Sequence, residues 1–461
     1  MFCAVSTLLT SSAILLAAAR PPRPPAPSGA VPSARQLAWH ELEFYGFLHF
    51  TVNTFTDTEW GYGDEPESVF NPSALDARQW VRVAKDAGMK GLIITAKHHD
   101  GFVLWPSRVT EHSVKNSPWK GGRGDVVGEL ARACRESGLK FGVYLSPWDR
   151  NHKDYGRPEY LEYYRAQLRE LLTSYGDVFE VWFDGANGGD GYYGGAREKR
   201  TIDGATYYDW ANTWSLVRLL QPRAVMFSDA GPDVRWVGNE RGVAFETSWN
   251  AIDLRGIYPG APGYTKIAAG SPDGADWAPP EVDVSIRPGW FYHPAEDARV
   301  RSVDDLVSLY FSSVGRNSKL LLNVPPTRDG LLHDVDVSRL AGMRAALETM
   351  RASDAAAGAR VQWRDAGPAP AVATVELRRS AAVSIADLRE QIEHGQTVAR
   401  YTLEGRDGAG AWQRLSTGTT IGHCKLDRFA PVTIRQVRLT LDEAVGAPRP
   451  IRIRLFADVR A

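Results

Sequence analysis

Asp184 is the side chain whose position in the sequence best fits a chemical role. It follows the apolar run of residues 178–183 and precedes the glycine-rich segment of residues 185–195. The run has the β-branched and aromatic composition of a buried strand, and α/β folds place their reactive groups at the carboxyl ends of such strands. Because Asp-Gly is also a common turn pair, this position alone fits both a reactive carboxylate and a simple turn.

Polar and aromatic side chains also end the three preceding apolar runs. His49 closes the first run, His98 and His99 close the second, and Tyr144 and Trp148 close the third. In a barrel of parallel strands these ends meet at one mouth. Four successive strand ends that carry such groups therefore predict a shared site.

Two carboxylates suffice to hydrolyse a glycosidic bond, because one attacks the anomeric carbon and the other protonates the leaving oxygen. We assign the attack to Asp184 and the proton transfer to Glu240, which lies on a predicted loop near Trp236. Glu246 is the alternative acid, since it falls within a predicted strand. Either acid requires a raised pKa, which burial can supply.

The pair His98 and His99, followed by Asp100, also raises the possibility of a metal site. Adjacent residues of a regular strand point to opposite faces, so both imidazoles fit one ion poorly. We predict one histidine in the site and one in a structural role, with no metal and no cofactor. A metal-dependent hydrolase is the alternative.

Short apolar runs alternate with amphipathic stretches from about residue 40 to 350, the pattern of repeated βα units. The stretches 77–87, 126–136, 158–174, 208–220 and 337–351 have helical periodicity. The predicted class is α/β, with a (β/α)8-like (TIM) barrel over residues 31–352 that is irregular around residues 252–283. The eight predicted strands are residues 45–52, 91–96, 141–146, 178–183, 224–228, 243–247, 284–292 and 320–324.

Beyond residue 353 the apolar residues alternate with period two, as in residues 374–378 and 433–439. This alternation predicts a C-terminal antiparallel β-sandwich over residues 353–461. No aromatic cluster there favours glycan binding, so we expect this domain to support the barrel.

Charge and composition narrow the possible partners and the compartment. The 54 basic and 55 acidic residues nearly balance, which gives no electrostatic signature of a nucleic-acid partner. Three cysteines exclude a disulfide framework. Residues 1–30 have the pattern of a signal peptide, apolar at residues 13–19, and a proline-rich linker. We expect a secreted or periplasmic protein with no membrane span in its mature form.

The ordered motifs between residues 40 and 350 resemble those of the α-L-fucosidases of glycoside hydrolase family 29. Several such motifs in one order are far more specific than any one alone. They are Gly46-Phe47-Leu48-His49-Phe50, Thr58-Glu59-Trp60-Gly61, Lys97-His98-His99-Asp100-Gly101-Phe102, Tyr144-Leu145-Ser146-Pro147-Trp148-Asp149, Trp182-Phe183-Asp184-Gly185-Ala186 and Pro232-Asp233-Val234-Arg235-Trp236-Val237-Gly238-Asn239-Glu240.

The resemblance implies a retaining exo-α-L-fucosidase in which Asp184 forms a fucosyl-enzyme and Glu240 is the acid/base. It implies that Trp60 packs near the methyl group of fucose and that Trp290 contacts a second sugar. The fucose hydroxyls are then held by His49, His98, His99 and Tyr144, with Glu59, Trp182 and Arg235 in the same pocket.

The Gly-Asn-Glu motif is similar to that of the branch of the family that acts on α-1,3- and α-1,4-linked fucose in branched glycans. The loop of residues 185–208 is longer than the connection typical of this branch, which leaves open a broader or α-1,2/1,6 preference. A fucose-binding barrel without catalysis is the alternative from another class of protein.

Overall fold

The computed structural model describes residues 28–366 and 369–457; the predicted signal peptide and the linker up to residue 27 lie outside them. Eight parallel strands form a closed barrel in which each strand pairs with its neighbours in chain order and the eighth pairs with the first. This confirms the predicted α/β barrel. Barrel strands one to eight are Phe44–Leu48, Gly91–Lys97, Lys140–Leu145, Glu180–Trp182, Val225–Ser228, Val234–Trp236, Pro280–Ser285 and Lys319–Asn323.

Two predicted strands were wrongly located. The sixth strand is Val234–Trp236, not residues 243–247, and Val243 and Phe245 are more than a third exposed. A three-residue strand with arginine at its centre gives no apolar run to detect. The seventh strand, Pro280–Ser285, begins four residues earlier than predicted. Glu240 therefore follows the sixth strand of the barrel.

The helices form where apolar stripes and capping residues coincide. In helix Ala77–Asp86 the apolar face of Trp80, Val81 and Ala84 is buried, as is Ala87 directly after the helix. Helix 126–137 begins where the Asp125 carboxylate accepts a hydrogen bond from the Gly128 N–H (2.8 Å). The α-helices are Ala34–His40, Val52–Thr56, Ala77–Asp86, Val126–Ser137, Glu159–Ser174, Trp210–Leu220, Val303–Ser312 and Asp334–Arg351, and the 3-10 helices are Glu67–Val69, Val114–Asn116, Trp119–Gly122, Tyr193–Gly195, Tyr264–Lys266, Pro294–Arg299 and Ile392–His394.

Aromatic side chains fill the barrel interior. Because side chains alternate along a strand, Tyr45, Phe47 and His49 point to the same side, and the first two belong to an interior cluster with Tyr144 and Trp182. Trp39, from the helix that precedes strand one, joins this cluster at the amino ends of the strands. The interior is a packed core, and barrels of this kind place their reactive groups at the carboxyl ends of the strands.

Two insertions interrupt the regular order of strands and helices. The loop after strand four contains a small hairpin of Gly189–Gly191 with Glu198–Arg200. Between strands six and seven the predicted irregular region holds the short pair Ala251–Ile252 and Asp276–Trp277. Neither α-helix nor long strand occupies residues 252–279, as expected.

The C-terminal domain is an antiparallel sheet of six strands. Its two longest strands have register shifts, where the sheet bends, and both halves of each contribute to one apolar core. The sheet packs on the barrel, for example through the Asn317 side-chain oxygen, which accepts from the His423 N–H (2.8 Å). The strands are Arg360–Ala366, Ala369–Arg389, Val398–Arg406, Gln413–Gly418, Lys425–Ala444 and Arg452–Phe456.

Candidate active site

A cleft of about 360 Å³ opens at the carboxyl ends of the barrel strands. Its volume is within the range of small-molecule sites. Ten of the eleven predicted site residues line it, namely His49, Glu59, Trp60, His98, His99, Tyr144, Trp182, Asp184, Glu240 and Trp290.

Asp184 lies at the end of strand four with both carboxylate oxygens engaged. The Ala186 N–H donates to Oδ1 (2.7 Å) and the Tyr144 hydroxyl donates to Oδ2 (3.0 Å). Nε2 of His99 lies 3.9 Å from Oδ2. The Asp-Gly turn and a position in the cleft thus coexist, because the turn supplies the N–H that orients the carboxylate.

The three histidines of the cleft are neutral. Burial lowers the pKa of His49 to about 3, although a hydrogen bond to Asn323 opposes this, and it lowers the pKa of His99 to about 4. Burial also lowers the pKa of His98, and neighbouring His99 adds to the effect. Neutral imidazoles can exchange hydrogen bonds with the hydroxyls of an uncharged ligand.

The hydrogen bonds of His99 define its tautomer. The Ser146 hydroxyl donates its one proton to the Trp148 carbonyl (2.6 Å), so it accepts from Nδ1 of His99 (2.7 Å). In the neutral ring Nε2 then carries the lone pair, on the side of Asp184. Both His98 and His99 line the cleft, whereas the alternation of a regular strand predicts only one. The strand ends at Lys97, and both histidines belong to the turn that the Gly101 N–H closes onto the His98 carbonyl (3.1 Å).

The cleft raises the pKa of Glu240. Burial raises its pKa and the nearby charges of Asp184 and Glu59 add to this, against a hydrogen bond from the Trp290 indole. That bond joins Trp290 Nε1 to Glu240 Oε2 at 3.2 Å. Although Glu240 is exposed by its surface area, a raised pKa agrees with its surroundings, which are two carboxylates and an indole.

Glu59 fixes the loop that carries Trp290. Its carboxylate accepts from the backbone N–H groups of Trp290 (2.8 Å) and Phe291 (3.0 Å) and contacts Nε2 of His293 (2.7 Å). Trp60, next in sequence, is 56% exposed and meets the ring of His99 edge-on at 5.3 Å. One short segment therefore supplies both a loop anchor and an open aromatic surface.

Arg150 connects the rim of the cleft. Its guanidinium lies over the rings of Tyr62 and Trp148 (5.2 Å each). It donates to the carbonyls of Gly61 (2.5 Å) and Asp190 (2.7 Å). The hairpin of the long loop is thus joined to the segment that carries Trp60.

Arg235 and Glu246 lie outside the cleft. The Arg235 side chain is fully buried and donates to backbone carbonyls, including that of Trp249 (2.7 Å). It holds the irregular insertion, so the prediction that it lines the substrate pocket is not met by its position. Glu246 is exposed and pairs with Arg316 and Lys425, away from Asp184.

Asp229 and Asp283 also line the cleft, although neither the strand ends nor the family motifs predicted them. Asp229 directly follows strand five, a signal available in the sequence, and burial raises its pKa to about 6 with help from the charge of Asp184. Asp283 lies within strand seven, where the Trp236 indole donates to its Oδ1 (2.8 Å). Burial and the charges of Glu240 and Glu281 raise the pKa of Asp283 well above its usual value.

Among residues 28–366 and 369–457, no group of three or more His, Cys, Asp or Glu side chains is arranged to hold a metal ion. No helix in the same residues is long and apolar enough to cross a membrane.

Known proteins similar to this chain are named as α-L-fucosidases or as members of glycoside hydrolase family 29. The family model for alpha-L-fucosidase matches residues 30–350. Alpha-L-fucosidase 1 of Arabidopsis thaliana is 42% identical and the alignment covers 94% of this chain and 89% of that protein. The crystal structure of a glycoside hydrolase 29 family member from an unknown rumen bacterium is 45% identical, with a TM-score of 0.88 over 94% of this chain and 78% of that one. A putative alpha-L-fucosidase from Bacteroides thetaiotaomicron is 37% identical, with a TM-score of 0.84 over 94% and 99% of the two chains.

A barrel whose open end holds several carboxylates, neutral histidines and indoles has the architecture of a glycoside hydrolase. The family match and the identity over nearly the whole chain narrow this class. The chain belongs to the α-L-fucosidases of glycoside hydrolase family 29.

Proposed function

We propose that this α-L-fucosidase acts with retention of configuration and that Asp184 is the nucleophile. The observation that carries this proposal is the way Asp184 is held, with one oxygen fixed by the Ala186 N–H and the other by the Tyr144 hydroxyl, in the same cleft as Glu240. Attack at the anomeric carbon gives a fucosyl-enzyme, and water then cleaves this ester.

In this mechanism Glu240 is the acid/base. It protonates the leaving oxygen in the first step and takes a proton from water in the second. Its raised pKa supports the first role. Fucose is uncharged, and the neutral His49, His98 and His99 suit its hydroxyls, while exposed Trp60 offers an apolar face to its methyl group.

We further propose that the substrates are branched oligosaccharides or glycans with terminal α-1,3- or α-1,4-linked fucose. Two observations support this preference: the Gly-Asn-Glu sequence that ends at Glu240, and the indoles of Trp236 and Trp290 in the lining of the cleft. Indole faces stack well on the C–H faces of a sugar. The hairpin at residues 189–200 also reaches the rim, and this observation favours a broader or α-1,2/1,6 preference as the second candidate.

The variant Asp184→Ala tests the nucleophile. We expect loss of at least about 10³-fold in kcat on an aryl fucoside, partly restored by azide with formation of a fucosyl azide. Asp190→Ala, which removes an exposed carboxylate of the neighbouring hairpin, is the matched control and should keep wild-type activity. Full activity of Asp184→Ala would refute the assignment.

The variant Glu240→Ala tests the acid. We expect a large loss on oligosaccharides and a much smaller loss on aryl fucosides with good leaving groups, because only the former need protonation. Glu246→Ala is the control. Equal losses of Glu240→Ala on both substrate types would contradict the assignment.

A panel of α-1,2, α-1,3, α-1,4 and α-1,6 fucosylated oligosaccharides tests the linkage. The proposal predicts that kcat/KM is highest for branched α-1,3 and α-1,4 substrates. A higher value for the α-1,2 or α-1,6 compounds would reject this preference in favour of the second candidate.

We also propose that the protein is exported to the periplasm or the medium. The support is the apolar stretch at residues 13–19 with the proline-rich segment after it. Cell fractionation and N-terminal sequencing of the expressed full-length chain should find a processed protein outside the cytoplasm. An unprocessed N-terminus in the cytoplasmic fraction would contradict export.

A further inference from the structure

Two carboxyl groups lie buried inside the barrel beneath the cleft. Glu180 begins strand four and Glu281 lies in strand seven, and both are fully buried. The Trp39 indole donates to Oε2 of Glu180 (3.0 Å). Glu281 accepts from the Trp182 indole at Oε1 (2.9 Å) and from the Tyr45 hydroxyl at Oε2. Neither residue lines the cleft.

Glu180 and Glu281 are hydrogen-bonded to each other, and their other partners assign the proton between them to Glu180. Among the described residues neither carboxyl pairs with Arg or Lys. Burial raises the pKa of Glu180, and the charge of Glu281 raises it further. Burial also raises the pKa of Glu281, but its donors oppose this. Glu180 is thus the neutral acid and Glu281 the carboxylate.

Glu281 reaches the reaction site through Trp182. The Trp182 ring forms part of the cleft wall and stacks on Phe227 (4.2 Å between ring centroids) and on Tyr144 (5.3 Å). Tyr144 in turn donates to Asp184. A shift of the indole would therefore displace the phenol that orients the nucleophile.

We propose that Glu281 is a positioning residue for the fucosidase reaction: its carboxylate holds the Trp182 indole, and the indole holds Tyr144 against Asp184. This inference rests on the proposed role of Asp184 as nucleophile. No ligand contact is required of Glu281, which acts only through the hydrogen bond to Trp182. The bond is strong because its acceptor is ionised and buried.

Glu180 provides a matched control, because it lies in the same buried cluster without a bond to a cleft residue. Glu180→Met and Glu281→Met each remove one carboxyl and replace it with an apolar chain of similar size. A purely structural role predicts lower thermal stability in both and equal activity per folded molecule. A positioning role of Glu281 predicts that the activity per folded molecule differs between the two variants.

The test measures kcat, KM and the pH–rate profile of both variants on an aryl fucoside, at a temperature where circular dichroism finds both folded. For Glu281→Met we expect kcat about tenfold or more below wild type with KM changed less than about threefold. The acid limb of kcat/KM should move to higher pH, because the Asp184 carboxylate loses a donor. Glu180→Met should keep wild-type kcat and the wild-type limb. Equal kcat values for the two variants would overturn the proposal.

If Glu281→Met does not fold, the variants Glu180→Gln and Glu281→Gln provide the test of the positioning role. Glu180→Gln replaces a neutral acid by a neutral amide and should keep wild-type kcat. Glu281→Gln offers one oxygen where the carboxylate offered two, so kcat should fall at least about threefold; an unchanged kcat would refute positioning. An active Asp184→Ala would instead refute the role of Asp184, which separates the two failures.

Discussion

Trp290→Phe should move the alkaline limb of the pH–rate profile to higher pH. In the wild type the Trp290 indole donates to Glu240 and lowers the pKa of this acid against the effects of burial and nearby carboxylates. Phenylalanine keeps an aromatic ring in the cleft but removes the donor. The pKa of Glu240 should then rise, and the acid should stay protonated to higher pH.

The size of this shift follows from the geometry of the bond. Hydrogen bonds to charged groups contribute about 1.5–3 kcal/mol. This one is 3.2 Å long and its acceptor reaches the solvent, so screening reduces it to about 0.5–1 kcal/mol. At 1.36 kcal/mol per pKa unit, the alkaline limb should move up by about 0.4–0.7 units.

The assay measures kcat/KM between pH 4 and 9 with a fucosylated oligosaccharide, whose poor leaving group makes protonation necessary. Trp236→Phe is the control, because the Trp236 indole donates to Asp283 instead of Glu240, and its alkaline limb should remain in place. An unchanged limb in Trp290→Phe, or a shift to lower pH, would refute the hydrogen bond as a determinant of the acid.

Three further predictions concern other residues of the site. Gly185→Ala should lower kcat/KM at least about tenfold, because the added Cβ would collide with the Asp229 carboxylate. The double variant Gly185→Ala/Asp229→Ala should regain part of the lost kcat/KM. A fully active Gly185→Ala would contradict the close contact between Gly185 and Asp229. Asp283→Asn should keep kcat/KM near pH 6 within about threefold of wild type, since the raised pKa of Asp283 makes it a neutral acid that an amide can imitate. Asp283→Ala should lower kcat/KM further than Asp283→Asn. An inactive Asp283→Asn would indicate that Asp283 is ionised. Burial raises the pKa of Asp100 to about 7. The contribution of Asp100 to stability is therefore present below its unfolded pKa of about 3.9 and is lost as pH rises to 7. The free energy of unfolding in urea should depend less on pH in Asp100→Asn than in the wild type over this range, and equal pH dependence in the two proteins would reject this linkage.

The sequence predicted the barrel, most of its helices and ten residues of the cleft, of which Glu59, Trp60, Trp182 and Trp290 came only from the resemblance to the family. Apolar runs that end in His49, His98, His99 and Asp184 carry this information locally, because the end of a parallel strand fixes where the next side chain lies. Strand six escaped prediction, since three residues with a central arginine give no periodic signal. Its mislocation made Glu246 a rival of Glu240, and the late predicted start of strand seven left Asp283 outside the predicted site.

The sequence by itself determined which elements form and which reactive groups end them, because both follow from periodicity and residue type within a short segment. Only the tertiary structure decided what those groups do. The outward position of Glu246, the burial of Arg235 against backbone carbonyls and the proton shared by Glu180 and Glu281 each depend on strands distant in sequence. Desolvation and the charges of neighbouring strands set a protonation state, and these exist only once the barrel has closed.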